Sequence, residues 1–147
     1  MNIRWSPGKL ERIEAETEAA LVMTGEAIRT DLIQRQTLPF AEDPRAVAER
    51  RTAAAIAAGR EPGRYLSKVV PGELQGSVHV DGTRAATGTV SVVTNTPYAR
   101  RLYYHPEFNF YRGTTRRAGG MWYQPYIKGE RAEWVRQTFE RLLRRSR

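Results

Sequence analysis

His79 and His105 are the only imidazoles in the 147 residues, and no cysteine accompanies them. Without cysteine, disulfides, thiolate metal sites and cysteine nucleophiles are excluded. His105-Pro106-Glu107 places an imidazole two residues from a carboxylate, the types that serve a metal or an acid/base pair. The intervening proline imposes extended or turn geometry. The spacing matches no helical metal motif, and no second cluster is in the sequence, so no metal and no cofactor are expected. Glu73 and Asp81, with nearby Arg and Lys, have the composition of a nuclease carboxylate set. Their spacing is unspecific, and Asp81-Gly82 is accounted for by a turn. Gly119-Gly120 lacks the strand and helix that a phosphate-cradling loop needs. Serine and threonine have no base and orienter beside them.

The chemistry-bearing residues concentrate in Tyr98–Ile127, which holds nine of the fourteen aromatics and five arginines. This stretch has neither strand alternation nor a sustained helical stripe. Long irregular segments of this kind are ordered functional loops or partner surfaces. Tyr, Trp and Arg together are the usual anchors of protein interfaces. The expected contact residues are Arg100, Arg101, Tyr103, Tyr104, His105, Phe108, Phe110, Arg116, Arg117, Trp122 and Tyr123. Tyr98, Leu102 and Tyr126 are expected inward, with Arg100, Arg101, Arg116 and Arg117 outward.

Charge sharpens this. The net charge is +8. Residues 1–97 carry twelve basic and twelve acidic groups, whereas residues 98–147 carry twelve basic groups against Glu107, Glu130, Glu133 and Glu140. Arginine outnumbers lysine by 21 to 3, which fits two-pronged binding of phosphate or carboxylate, although a GC-rich genome also enriches arginine. Arg116, Arg117, Arg144 and Arg145 are the candidates to face nucleic acid. A second reading is therefore a non-sequence-specific nucleic-acid-binding module, with arginine on phosphate and aromatics on bases. A third is a small ribonuclease-like enzyme using Arg, Tyr and His105.

The elements that must position these residues come next. Ser6 can cap a helix that begins at Pro7, and Leu10, Ile13, Ala20, Leu21, Met23, Ala27, Ile28 and Leu32 recur at helical spacing. The helix is expected over about 7–36, roughly 45 Å long, which exceeds what one small domain needs and points to contact with another subunit. Residues 41–71 read as an insertion, with Asp43 capping an alanine-rich helix over about 44–58 that Gly59 ends. This is the segment expected to be mobile or ordered by a partner. A hairpin follows, Leu74–Val80 and about Ala86–Thr94, around Asp81-Gly82. An odd-numbered loop such as Asp81–Thr83 puts Val78, Val80, Val90 and Val92 on one face, and Val90–Val93 is expected at the sheet centre. His79 then faces solvent. A last helix over about 129–145 is expected to bury Ile127, Ala132, Val135, Phe139, Leu142 and Leu143, with Trp134 beside the stripe.

The fold class is α+β: long first and last helices on a small antiparallel sheet, an alanine-rich helical insertion and a long aromatic loop, all in one domain over 1–147. No apolar run of about 18 residues is present to span a membrane. MNIRWSPGKLERIE lacks the apolar stretch of a signal peptide, so synthesis in a cytosol is expected.

Tyr98-Ala99-Arg100-Arg101-Leu102-Tyr103-Tyr104-His105-Pro106-Glu107-Phe108-Asn109-Phe110, with Gly120-Met121-Trp122-Tyr123-Gln124-Pro125-Tyr126-Ile127, resembles the minor capsid or neck proteins of tailed bacteriophages. Gly25-Glu26-Ala27-Ile28-Arg29, Thr37-Leu38-Pro39-Phe40 and Gly72-Glu73-Leu74-Gln75-Gly76-Ser77-Val78 look like the same family's helix end and first strand. Together these pieces cover about half the chain. The resemblance implies a virion structural protein at the head–tail junction, of the neck or tail-completion type. It implies a small α+β subunit, assembled as a ring (hexamer or dodecamer) around the DNA channel, touching adjacent head-completion or tail proteins and packaged DNA. It implies no catalysis, cofactor, membrane or small-molecule substrate. It does not extend over about 41–71, where the family pattern runs almost directly from Pro-Phe into the first strand.

Overall fold

The computed structural model describes residues 2–4, 14–63 and 70–145. The order is β1 (Asn2–Arg4), α1 (Glu14–Gln34), α2 (Pro44–Ala57), α3 (Glu73–Gly76), β2 (His79–Asp81), a 3-10 turn (Ala85–Thr87), β3 (Thr89–Val93), α4 (Ala99–Tyr103), α5 (Gln124–Ile127) and α6 (Ala132–Arg145). The fold is α+β, with α1 and α6 packed together beside an antiparallel sheet of order β1-β3-β2.

β3 is central, as its β-branched run requires: Ile3 pairs with Val90 on one side and Val80 with Val92 on the other. Direct pairing puts Val80 and Val92 on one face, and Val78, Val90 and Val92 are buried. The parity reading therefore holds, but the loop is longer than Asp81–Thr83. Residues 82–88 connect the strands, because Asp81 Oδ1 accepts from Thr83 N (3.0 Å) and Thr83 Oγ1 (2.8 Å) and turns the chain early. Gly88, at φ 83°, ends the 3-10 turn that occupies the expected start of the second strand. Leu74 also departs from expectation. It is buried within α3 rather than in a strand, and Ser77 Oγ donates to Leu74 O (2.7 Å) at that helix's end. β1 was not legible at all, since three residues carry no period.

α1 presents Thr17, Ala20, Leu21, Thr24, Ile28 and Leu32 to the core at spacings of three and four. The seam crosses the sheet at Gly25, where a Cβ would stand 2.9 Å from Val80 Cγ1 and 3.2 Å from Val90 Cγ1. Met23 is off the seam and 53% exposed, correcting its place in the expected stripe. The expected start at Ser6 and Pro7 lies outside the described residues. The described helix is roughly 32 Å long and buries residues from Thr17 to Leu32 in its own subunit.

α6 runs antiparallel to α1. Arg131 pairs with Asp31, whereas Phe139 packs with Ala20 and Leu21 at the other end. α6 begins at Ala132 rather than about 129, and Ile127 is 47% exposed at the end of α5 instead of joining the stripe. The break comes from Gly129. A Cβ there would lie 2.6 Å from Pro125 Cα, and this close approach lets Arg131 N donate to Pro125 O (2.9 Å). α2 matches its signals: Asp43 Oδ1 accepts from Arg45 N (2.9 Å), and Pro44 opens the helix. Its one buried residue is Val47.

Candidate contact surface

The aromatic block divides into a core half and an outer half. Trp122 and Tyr123 are 2% and 7% exposed and belong to the main core with Ile28, Leu32, Val78 and Val92. They were expected at a contact surface, and the structure corrects this: both are structural. Tyr126 is buried as expected, and Tyr98 and Leu102 are half-buried against the same cluster. Tyr103 is half-buried and joins the two halves. Its ring stands edge-on to Trp122 (centroids 4.9 Å, 87°) and to the exposed Tyr104 (5.1 Å, 83°). Such edge contacts are favourable beyond their buried area.

The segment is not the continuous irregular loop that its pattern predicts, because α4 and α5 form within it. It is pinned to the subunit by backbone contacts. Met121 N donates to Tyr103 O (2.9 Å), Arg117 N to Gln36 O (3.0 Å), and Thr115 Oγ1 to Leu38 O (2.8 Å). Glycine is required at position 120, where a Cβ would meet Tyr103 O at 2.8 Å. Behind the segment, Asp31 accepts Tyr126 OH (2.7 Å) and both prongs of Arg131 (2.6 and 3.2 Å). Burial, and the hydrogen bond to Asp31, push the Tyr126 phenol well above its usual range. Arg131 in turn lies 4.2 Å over the Trp134 ring.

The outer half carries Arg100, Arg101, Tyr104 and His105, all exposed, with Phe108 and Phe110 half-buried. The His105 and Phe108 rings stack in parallel (4.7 Å, 6°), and the Arg101 guanidinium lies 5.5 Å from the Phe108 centroid on a surface already ordered by those rings. His105 Nδ1 is 2.6 Å from Glu107 Oε1, and this hydrogen bond holds the Glu107 carboxyl below the usual carboxylate range. His79 is exposed on β2, as expected, and its Nδ1 donates to Ser77 O (2.9 Å). Among the described residues, no group of three or more His, Asp or Glu could hold a metal ion.

The arginines expected to face nucleic acid are exposed but not gathered. Arg116 and Arg117 lie over the C-terminal end of α1, beside Gln36. Arg144 and Arg145 end α6, beyond Leu142 and Leu143, which pack near Leu21. The two pairs are thus at opposite ends of α1. Arg144 is also 3.8 Å from Glu140 Oε2.

No family model matches the chain, and comparisons with curated proteins and with solved structures return no match. Among the described residues, no helix is long and apolar enough to cross a membrane.

Sequence reasoning missed a groove of about 590 Å³ beneath the outer half. It is lined by Phe40, Leu74, Tyr98, Leu102, Phe108 and Phe110, among others, and among the described residues Arg101 is the one charged member of its lining. The linings come from four separate stretches of chain, so no local pattern could have announced it.

Proposed function

We propose that the chain is a structural subunit of a tailed phage or phage-like particle. It is made in the bacterial cytoplasm and built into the virion as a ring of six or twelve copies at the head–tail junction. One observation carries this reading. The Tyr98–Ile127 block, whose residues bear the resemblance to neck proteins, has Trp122, Tyr123 and Tyr126 packed in the core as its root and Arg100, Arg101, Tyr104 and His105 as its outer face. Pre-ordered aromatics and arginines lose little side-chain freedom when a partner docks, which favours affinity. Neighbouring copies of the chain and adjacent head-completion or tail proteins are the partners for that face. Packaged DNA is met through non-specific attraction, for which Arg116, Arg117, Arg144 and Arg145 are candidates.

The test replaces exposed residues only. Arg100→Glu with Tyr104→Ala leaves the fold intact by circular dichroism and reduces the yield of joined, infectious particles. Normal joining with correctly folded double variant contradicts the reading.

The second reading, a nucleic-acid-binding module, is favoured by five exposed arginines in the block, Arg100, Arg101, Arg112, Arg116 and Arg117. It requires duplex or single-strand affinity that falls steeply with salt. A titration with no binding at low salt removes it.

A further inference from the structure

α2 and the apolar groove each leave apolar surface exposed. The insertion leaves the body at Pro39–Ala41 and returns at Val70 and Gly72, and all five of these residues line the groove. α2 therefore rises from the groove's edge as an arm. Its inner face holds Val47, with Ala48, Thr52 and Ala55 half-buried, but Glu49, Ala53 and Ile56 are exposed. These three are spaced i, i+4 and i+7, so they form one stripe about 10 Å long on a helix. Ile56 is 63% exposed, the largest exposure of any bulky apolar residue among those described. Among the described residues none covers that stripe, while the groove opens Val70 and Tyr111 to solvent at 61% and 41%.

The charges match as well as the apolar surfaces. The stripe carries a carboxylate, Glu49, and among the described residues the groove's one charge is a guanidinium, Arg101. An exposed apolar helix face with anchors at helical spacing is the form that seats in such a groove. A groove and an arm on the same subunit make a head-to-tail contact, in which each copy gives one arm and receives one. Contacts of this kind close into rings when the rotation between copies allows.

We infer that the Glu49–Ala53–Ile56 face of α2 docks into the apolar groove of a neighbouring copy, with Ile56 as the anchor and Glu49 paired to Arg101. The inference rests on the ring reading and adds the contact that joins the copies. It also gives the 41–71 insertion a purpose that the resemblance leaves open.

The chain has no native cysteine, so engineered thiols report the contact cleanly. Ile56→Cys and Tyr111→Cys are made as separate full-length chains, mixed and mildly oxidised. The expected result is a disulfide-linked heterodimer that forms at least tenfold faster than the control mixture of Met23→Cys with Tyr111→Cys. Glu49→Arg or Arg101→Glu alone slows the linkage on the thiol-bearing chains, and the two together restore it. Equal rates for the Ile56 and Met23 thiols overturn the docking, as does a swap pair without rescue. Sedimentation of the native chain, run in parallel, separates the two ideas. Self-association with no Ile56–Tyr111 linkage leaves the ring standing and removes the arm, whereas linkage between copies that never close into a ring retains the arm and removes the ring.

Discussion

Trp122 and Tyr104 sit two rings apart in one aromatic chain, and replacing each with alanine is expected to have very unequal consequences. Trp122 is 2% exposed in the main core and contacts Tyr103 edge-on at 4.9 Å. Removing a fully buried tryptophan costs about 3–5 kcal/mol through lost burial and the cavity left behind. For a chain of this size each kcal/mol lowers Tm by about 2–4 °C, so Trp122→Ala is expected to melt roughly 6–20 °C lower. Tyr104 is 62% exposed, and its main contact is the edge of Tyr103 at 5.1 Å. Its replacement is expected to change stability by about 0.5–1 kcal/mol, no more than that edge contact. Trp122→Phe should fall between them but nearer wild type, since a phenyl ring keeps most of the buried aromatic area. The assay is thermal unfolding followed by far-UV circular dichroism at one dilute concentration. Similar Tm losses for Trp122→Ala and Tyr104→Ala would refute the division of the block into a structural root and a free outer face.

Other substitutions and conditions test the packing behind that face. Asp31→Ala removes the acceptor shared by Tyr126 and Arg131 and should cost about 2–3 kcal/mol in urea unfolding, as expected for lost bonds to a charged group; a loss under about 0.5 kcal/mol would show that the trio is decorative. Gly25→Ala gains about 1 kcal/mol of helix propensity, but its Cβ would crowd Val80 Cγ1 at 2.9 Å, and overpacking costs about 1–3 kcal/mol. A net loss near 1 kcal/mol is expected, and a gain would place α1 farther from the sheet. Asp81, through its bonds to Thr83, and Glu107, through His105, titrate below their usual 3.8 and 4.5. A depressed carboxylate adds stability above its unfolded pKa that is lost as pH falls through the folded one, so both effects fade below about pH 4. Carboxyl chemical shifts against pH check this, and ordinary midpoints for both would contradict it.

Local signals were read well where they act locally. Asp43-Pro44 with Gly59 delimited α2 because a cap, a first-turn proline and a left-handed terminator satisfy neighbouring backbone groups. Val80, Val90 and Val92 shared a face because parity follows from pairing alone. Where distant parts decide, the sequence was silent or misleading. β1 exists through Ile3 pairing with Val90, a contact spanning most of the chain. Leu74 entered a helix because Ser77 and the following strand fix where extended chain begins. Trp122 and Tyr123 have the composition of interface anchors, yet buried cores and interfaces draw on the same aromatics. Only the surrounding Ile28, Leu32 and Val92 reveal that they face inward. The outward arginines were legible because charge has no place in an unpaired core. The groove beneath them was not, since its walls come from separate segments.

The proposed role makes this chain a fixed, repeated component of a particle's head–tail junction. Quantitative mass spectrometry of purified particles, against a labelled copy of the chain as standard, tests it directly. The expected result is six or twelve copies per particle, retained after washing at high salt. Absence from purified particles, or recovery only as a salt-removable contaminant bound to DNA, would contradict it.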